Sequence, residues 1–344
     1  MSFKHVKVLM LGNFSFSKDV QPRLAEKYTL MVSDEPNRAA FLDACKAGKY
    51  DGTQVLIKTF AGGLRVAAPK GADAEWLDAL PKSVKLIVNV AAGYDDCNVD
   101  EMTKRGIWLT KTEVSTGTAD IAMFLLLATF RNTNAGQKHI REGGFREYMQ
   151  IPNDLGNDPK NKTLGILGFG SIGKDVTKKA QAFGMNVIYY KRTRLPAQEE
   201  QELNIRHVSF DELISTSHCI SVHVPLSAES RHLIGPKQFE MMRDNVRIVN
   251  TARGAVIDET ALIEAIKSGK VFAAGLDVFE FEPKIPDFLR NHPRVTAVPH
   301  IGGASIETLE EYEGQAADNC EAFITRGVAL TPVNNPSPSN TSKV

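Results

Sequence analysis

Three side chains stand out by type and by position. Arg253 lies in Asn250-Thr251-Ala252-Arg253-Gly254, Glu282 in Gly275-Leu276-Asp277-Val278-Phe279-Glu280-Phe281-Glu282-Pro283, and His300 in Val298-Pro299-His300-Ile301-Gly302-Gly303. Each follows a short apolar run of strand length, which puts all three on the ligand edge of a parallel sheet. An Arg fork can hold the planar carboxylate of a 2-oxo acid through two parallel bonds. A His can give or take the proton at a carbonyl or hydroxyl oxygen. A carboxylate on its other ring nitrogen fixes the tautomer. The hydride for such a reaction comes from a nicotinamide. Other readings stand beside this one: a His after a strand often only satisfies the core, and an Arg is often a salt-bridge partner. Glu280, two residues before Glu282, is a second carboxylate in the same loop, so spacing alone leaves the choice between them open.

These residues need a scaffold, and the stretch Thr163 to Tyr190 supplies one. Leu164-Gly165-Ile166-Leu167 reads as a buried parallel strand, Lys174 to Phe183 as a helix stopped by Gly184, and Met185 to Tyr190 as a second strand. Between strand and helix stands Gly168-Phe169-Gly170-Ser171-Ile172-Gly173. Gly168 permits the tight turn, Gly170 lets backbone approach a pyrophosphate, and Gly173 lets helix pack on strand. The amides at Ser171 and Ile172 open the helix toward negative charge. An NAD-binding unit of this kind ends its second strand in Asp or Glu. Here Lys191-Arg192-Thr193-Arg194 follows instead, which predicts NADP(H) over NAD(H), with Arg192 carrying the preference and Lys191 and Thr193 assisting; NAD(H) remains possible.

The rest of the chain repeats the β/α alternation. Strands are expected at Val6–Leu11, Tyr28–Val32, Val55–Lys58, Val84–Asn89, Ile107–Thr110, Cys219–Val224, Arg247–Asn250, Ala273–Leu276 and Val295–Val298. Helices are expected between them, with one long helix over Thr118–Arg141 and a last one over Ser305–Thr325. The fold class is therefore α/β with doubly wound parallel sheets. Ile121 to Phe130 is apolar nearly all round, which predicts that another domain or a second subunit covers it. Pro332 to Val344 is rich in Pro, Ser and Asn and reads as a disordered tail.

Composition narrows the function. The 344 residues suffice for two domains, and Lys plus Arg equals Asp plus Glu at 41 each, so no basic excess points to nucleic acid or an anionic membrane. Cys45, Cys97, Cys219 and Cys320 are widely spaced, so neither a metal site nor a disulfide framework is indicated. No signal peptide or spanning stretch is recognised, and a cytoplasmic enzyme is expected. The terminal Ser342-Lys343-Val344 misses the peroxisomal address at its last residue.

The Gly168–Gly173 turn, the Asn250–Gly254 stretch, the Gly275–Val278 stretch and Pro299-His300-Ile301-Gly302 together resemble the D-isomer-specific 2-hydroxyacid dehydrogenases. Within that family the chain looks like the fungal glyoxylate/hydroxypyruvate reductases and the D-mandelate dehydrogenase-like enzymes. Glu282 lies 29 positions after Arg253 and His300 a further 18, at the family's spacing. The resemblance implies Arg253 for carboxylate and carbonyl binding, Glu282 rather than Glu280 to orient the imidazole, and His300 as acid/base. It implies that Ala92 and Gly93 offer amides to the substrate carboxylate, and Lys58 is a further candidate to face the substrate. It implies that Thr118, Val224, Pro225, Thr251, Ala252, Asp277, Gly302 and Gly303 line the cofactor. It implies a Rossmann cofactor domain, residues 116–304, inserted in a flavodoxin-like substrate domain, residues 1–115 plus 305–331, and a homodimer through the helix near 118–141. Glu282 disfavours the family's formate dehydrogenases, no regulatory domain of the phosphoglycerate dehydrogenase kind is recognised, and Lys111 replaces a common Asn. The implied activity is reduction of a 2-oxo acid (glyoxylate, hydroxypyruvate or an aryl-2-oxo acid) to the D-2-hydroxy acid. The competing reading is a non-catalytic dinucleotide-sensing module of the corepressor kind.

Overall fold

A computed structural model describes residues 3–67, 70–145, 150–151 and 155–336. The chain forms two compact units, the first using the chain up to Val114 and again from Ser305, the second running Ser115–Ala304.

In the first unit the order is β1 Phe3–Met10, α1 Val20–Lys27, β2 Tyr28–Val32, α2 Arg38–Lys46, β3 Thr53–Lys58, α3 Phe60–Ala67, α4 Ala74–Ala79, β4 Leu86–Asn89, α5 Val99–Lys104 and β5 Trp108–Thr110. Its sheet is wholly parallel with order β2-β1-β3-β4-β5, the flavodoxin-like winding. β4 is buried at all four positions, as a central parallel strand must be.

The second unit contains α6 Thr116–Arg131, α7 Thr133–Arg141, β6 Thr163–Leu167, α8 Ser171–Ala182, β7 Asn186–Tyr190, α9 Ala197–Glu202, β8 Arg206–His207 and α10 Phe210–Thr216. It continues with β9 Cys219–Val222, α11 Pro236–Met241, β10 Val246–Asn250, α12 Glu259–Lys267, β11 Val271–Leu276, α13 Asp287–Asn291 and β12 Val295–Ala297. These strands form a parallel sheet of order β12-β11-β10-β9-β6-β7-β8. The winding reverses between β6 and β9, so the loops after those strands flank the crevice where such sheets take ligands. α14, Ile306–Arg326, returns to the first unit. Its buried Glu313 accepts backbone N–H bonds from Ser15, Phe16 and Ser17.

Several expectations need correction. The single helix over Thr118–Arg141 is two helices, because Asn132 takes a left-handed conformation (φ 48°) that ends α6. Asn is among the few residues that tolerate this, so helical periodicity runs on through the break. The apolar sequence of α6 is covered mainly by the unit's own sheet and α8; Phe124 is 50% exposed there, whereas Ala122, Leu125, Leu126 and Phe130 are buried. The tail expected to be disordered from Pro332 is held in place through Asn334. The Val333 amide donates to the Leu109 carbonyl at 2.8 Å, and the Asn334 side chain bonds Leu109, Thr103 and Ile107. Ser342-Lys343-Val344 lies outside the described residues, as does part of the polar connection expected at Asn153–Lys162.

α3 was unexpected because glycines at 62 and 63 weigh against a helix. The fold requires at least the first: a Cβ on Gly62 would sit 1.2 Å from the Leu11 carbonyl oxygen, so only glycine lets α3 lie against the end of β1. The short α9, β8 and α13 were also not anticipated. Among the described residues, no helix is long and apolar enough to cross a membrane.

Candidate active site

The second unit brings the three candidate residues to the carboxyl ends of neighbouring strands. Arg253 follows β10, Glu282 follows β11 and His300 follows β12, and these strands pair in that order. Asn250, the last residue of β10, shapes the Arg253 turn: its side chain accepts from the Ala252 amide and donates to the Arg253 carbonyl. The Arg253 guanidinium donates to the Ala252 carbonyl at 2.7 Å. His300 has φ 56°, a strained left-handed conformation. Asp277 holds it there. The Asp277 carbonyl accepts from the His300 amide, and its buried carboxylate accepts from Ile301 at 2.6 Å and Gly302 at 2.8 Å. Burial raises the Asp277 pKa despite those two amides.

The His300 ring meets Glu282, with Nδ1 to Oε2 at 2.9 Å. The other Glu282 oxygen accepts from the Phe279 amide at 3.0 Å. Burial pushes this carboxyl upward, but the His300 and Phe279 hydrogen bonds, helped by the His300 and Arg253 charges, hold it below the ordinary glutamate value. An ionised carboxylate only accepts, so Nδ1 carries the proton and Nε2 is left to exchange one with a substrate. The imidazole is 45% exposed, enough for a ligand to reach it. Glu280 is engaged elsewhere: its carboxylate takes His232 at 2.7 Å and the Glu259 amide. The carboxylate beside His300 is thus that of Glu282.

The residues expected along a dinucleotide cluster at the same edge. Gly168 has φ 89°, and a Cβ there would lie 2.7 Å from the His223 carbonyl carbon and the Val224 side chain, so the turn admits only glycine. A Cβ on Gly173 would meet the Gly168 carbonyl at 2.9 Å, whereas one on Gly170 would point into open space. No side chain caps the helix opened by Ser171, Ile172 and Gly173, so its first amides can receive an anion. Val224 and Pro225 follow β9, and Thr251 and Ala252 follow β10. The Thr251 hydroxyl is buried with no hydrogen-bond partner among the described residues. Thr118 lies in the first turn of α6, beside Gly302, whose Cβ would come 3.2 Å from it, and Gly303 follows in the same loop. A nicotinamide dinucleotide fits this set: an uncapped helix start, an open approach at Gly170 and an orphaned buried hydroxyl. After β7, Arg192 and Thr193 are exposed and Lys191 half-buried, while Arg194 is bound to the buried carboxylate of Glu200.

Lys58, Ala92 and Gly93 belong to the first unit, at the carboxyl ends of β3 and β4. Lys58 is buried and held by Asn89 and Asp96. Sequence reasoning missed the turn-shaping Asn250 and the bracing Asn89. Each is a polar residue closing a buried strand, a signal that was available. A cavity of about 680 Å³ bordered by Gln181, Met185, Asn204 and Thr216 contains none of the triad.

Comparison with known proteins identifies the family. Residues 123–302 match the family model described as D-isomer specific 2-hydroxyacid dehydrogenase, NAD binding domain. The 4-methyl-2-oxopentanoate reductase A of Aspergillus oryzae is 38% identical over 327 residues, covering 94% of this chain and 97% of the relative. A glyoxylate reductase structure from Paecilomyes thermophila superposes with TM-score 0.88 at 40% identity, covering 95% and 98% of the two chains. The holo D-mandelate dehydrogenase of Rhodotorula graminis superposes with TM-score 0.90 at 32% identity, covering 96% and 98%.

Proposed function

The chain belongs to the D-isomer specific 2-hydroxyacid dehydrogenase family and is an NAD(P)-dependent oxidoreductase; from that premise we propose that it reduces a 2-oxo acid to the D-2-hydroxy acid with NADPH. The observation that carries the reading is the His300 Nδ1 to Glu282 contact of 2.9 Å, with Arg253 close enough to act on the same carboxylate. The bound dinucleotide supplies the hydride. Arg253 holds the substrate's carboxylate and carbonyl, and its positive charge offsets the negative charge that gathers on the carbonyl oxygen. His300 delivers the proton to that oxygen from Nε2. Glu282 keeps Nδ1 protonated and balances the charge of the ring.

Relatives named for glyoxylate, 4-methyl-2-oxopentanoate and D-mandelate bracket the side chains worth testing. The NADPH preference rests on the absence of an acid after β7 and on exposed Arg192, with Lys191 and Thr193 beside it. A homodimer is part of the proposal, supported by Phe124, Ile140 and Phe145, which are 50%, 64% and 74% exposed. Four reduced, buried cysteines support a cytoplasmic setting. Turnover of glyoxylate, hydroxypyruvate, 4-methyl-2-oxopentanoate and phenylglyoxylate, each with NADPH and with NADH, tests the assignment. Binding of the dinucleotide without turnover of any acid would favour the sensing module instead.

A further inference from the structure

The carboxylate that does not meet His300 is buried all the same. Glu280 stands two residues before Glu282, and its side chain is 7% exposed. An ionised carboxylate in such a place needs donors. Oε1 accepts from His232 Nε2 at 2.7 Å, with the Arg231 guanidinium 3.5 Å away. Oε2 accepts from the Glu259 amide at 3.5 Å, and the buried Glu259 carboxylate accepts in return from the Glu280 amide at 3.2 Å. The two glutamates exchange backbone bonds as the partners of a capping box do. Burial raises the Glu259 pKa; the bond from the Glu280 amide opposes this and the Glu280 charge adds to it. The His232 N–H and the Arg231 charge offset that repulsion.

These bonds join three segments of the second unit. His232, left-handed at φ 52°, lies in the loop after β9. Its amide donates to the Ala255 carbonyl at 2.8 Å and the Ile234 amide to the Val256 carbonyl at 3.1 Å, which ties that loop to the turn following Arg253. Gly254, beside Arg253, lies directly against the third segment: a Cβ there would come 1.9 Å from the Phe279 carbonyl carbon and 2.3 Å from the Glu280 nitrogen. No gap remains between the Arg253 turn and the Phe279–Glu280 backbone. The Phe279 amide is the group that donates to Glu282 Oε1 at 3.0 Å, while Glu282 Oε2 meets His300. A shift of this backbone therefore moves the donor that aims Glu282 at the imidazole, and proton transfer tolerates such misplacement poorly.

We propose that Glu280 and His232 are positioning residues: their bond clasps the Phe279–Glu280 backbone against the Arg253 turn and so holds the Glu282 carboxylate on His300 Nδ1. This deepens the 2-oxo acid reading and rests on it for the reaction that is positioned. The two carboxylates of one loop divide the work, Glu282 acting on the imidazole and Glu280 fixing the backbone from which Glu282 acts.

The test uses the full-length protein, by kinetics with glyoxylate and NADPH and, without any ligand, by amide hydrogen exchange. Glu280→Ala opens the clasp. It is expected to lower kcat about tenfold while the KM values for glyoxylate and NADPH stay within about threefold, and Glu280→Gln, which keeps an acceptor for His232, should recover most of the loss. Placed on top of Glu282→Gln, Glu280→Ala should cost nothing further, because the clasp acts through Glu282. A second full loss there marks a merely structural role and overturns the proposal. In the ligand-free protein, Glu280→Ala should quicken exchange at the Phe279 amide about tenfold and leave the core amides of Ile220 and Ile248 unchanged. Equal quickening at all of them overturns the proposal. Should Glu280→Ala not fold, His232→Asn decides: Asn tolerates the left-handed backbone but is too short to reach Glu280. Unchanged kcat and unchanged Phe279 exchange in that variant overturn the proposal. A wild type that turns over no 2-oxo acid, yet whose Phe279 exchange depends on Glu280, would refute the proposed function and leave the clasp on Glu282 standing. An active wild type whose kcat and Phe279 exchange ignore Glu280 would do the reverse.

Discussion

Both units follow the first strand of a parallel sheet with a turn that presents backbone amides, yet they treat the amides oppositely. After β1, the N–H groups of Ser15, Phe16 and Ser17 close on the carboxylate of Glu313, which α14 inserts and which is 6% exposed. After β6, the amides that open α8 receive no side-chain cap, and a Cβ on Gly170 would meet nothing within 4 Å. Orphan amides at a sheet's carboxyl edge call for an anion. The first unit supplies one from its own chain and becomes a closed structural joint. The second leaves the place for a pyrophosphate and becomes a binding site. A parallel, doubly wound sheet therefore does not by itself say which unit binds the dinucleotide; the occupant of the amides does.

The largest effect is expected where the second unit is reactive. Arg253→Ala removes a charge-assisted fork, with a loss of about 3 kcal/mol or more, so kcat/KM should fall by roughly a hundredfold or further. Arg253→Lys should fail similarly, because a point charge cannot copy the fork. Near-normal kcat/KM in the lysine variant would show that the guanidinium geometry is not used.

In the first unit the matching intervention is Glu313→Ala. Three amides lose a buried ionic acceptor, and stability to denaturant should drop by about 3 kcal/mol, with Glu313→Gln in between. A drop under about 0.5 kcal/mol, the size of an ordinary surface substitution, would mean that water replaces the carboxylate and that the two turns are alike after all.

The open turn makes the converse prediction. NADPH at a hundredfold its Kd should stabilise the protein by about 2.7 kcal/mol. Hydrogen exchange should slow at the amides of Ser171, Ile172 and Gly173 and stay unchanged at Ser15 to Ser17. Protection of the Ser15–Ser17 turn alone would invert the comparison.

Arg192→Ala should raise the NADPH KM by roughly tenfold, equivalent to about 1.5 kcal/mol, and leave NADH nearly untouched; added salt should erode the preference. Equal efficiency with NADH and NADPH in the wild type would remove Arg192 from that role.

The smallest effect concerns pH. Glu282 titrates below its ordinary value of 4.5, so the His300 pair contributes stability that is present above that value and is lost as pH falls through the lowered one. Glu282→Gln should flatten the acid side of the stability profile below about pH 4.5 and reduce turnover, since the ring loses its anionic partner. Identical acid profiles in the two proteins would mean that the carboxylate does not act through His300.

The secondary structure was legible wherever a short apolar run met a strong punctuator. β2 matches its expected bounds, and β4, β5 and β10 differ from theirs by one or two residues. Misses came where a local rule lost to a close approach or to a tolerated exception: α3 forms despite two glycines because only glycine fits beneath the Leu11 carbonyl, and Asn132 breaks a helix with no interruption in its pattern. Nothing near Lys58 in sequence signals that it is buried, because burial is a property of the packed sheet rather than of a residue's neighbours in sequence.

By itself the amino-acid sequence determined the alternating β/α plan, the glycine turn after β6, the missing acid after β7 and the order of Arg253, Glu282 and His300, since these depend on residue type and short-range spacing. Residue type and spacing left two carboxylates open, and the tertiary structure pairs each with its own imidazole. Glu280 and Glu282 are two residues apart in one loop, yet the first faces His232 and the second His300, partners that lie 48 and 18 positions away. It alone decided that Glu313, almost 300 positions from Ser15, fills one set of amides and leaves the other open. Side-chain pairing at that range follows from how strands and helices stack, and no local pattern encodes it.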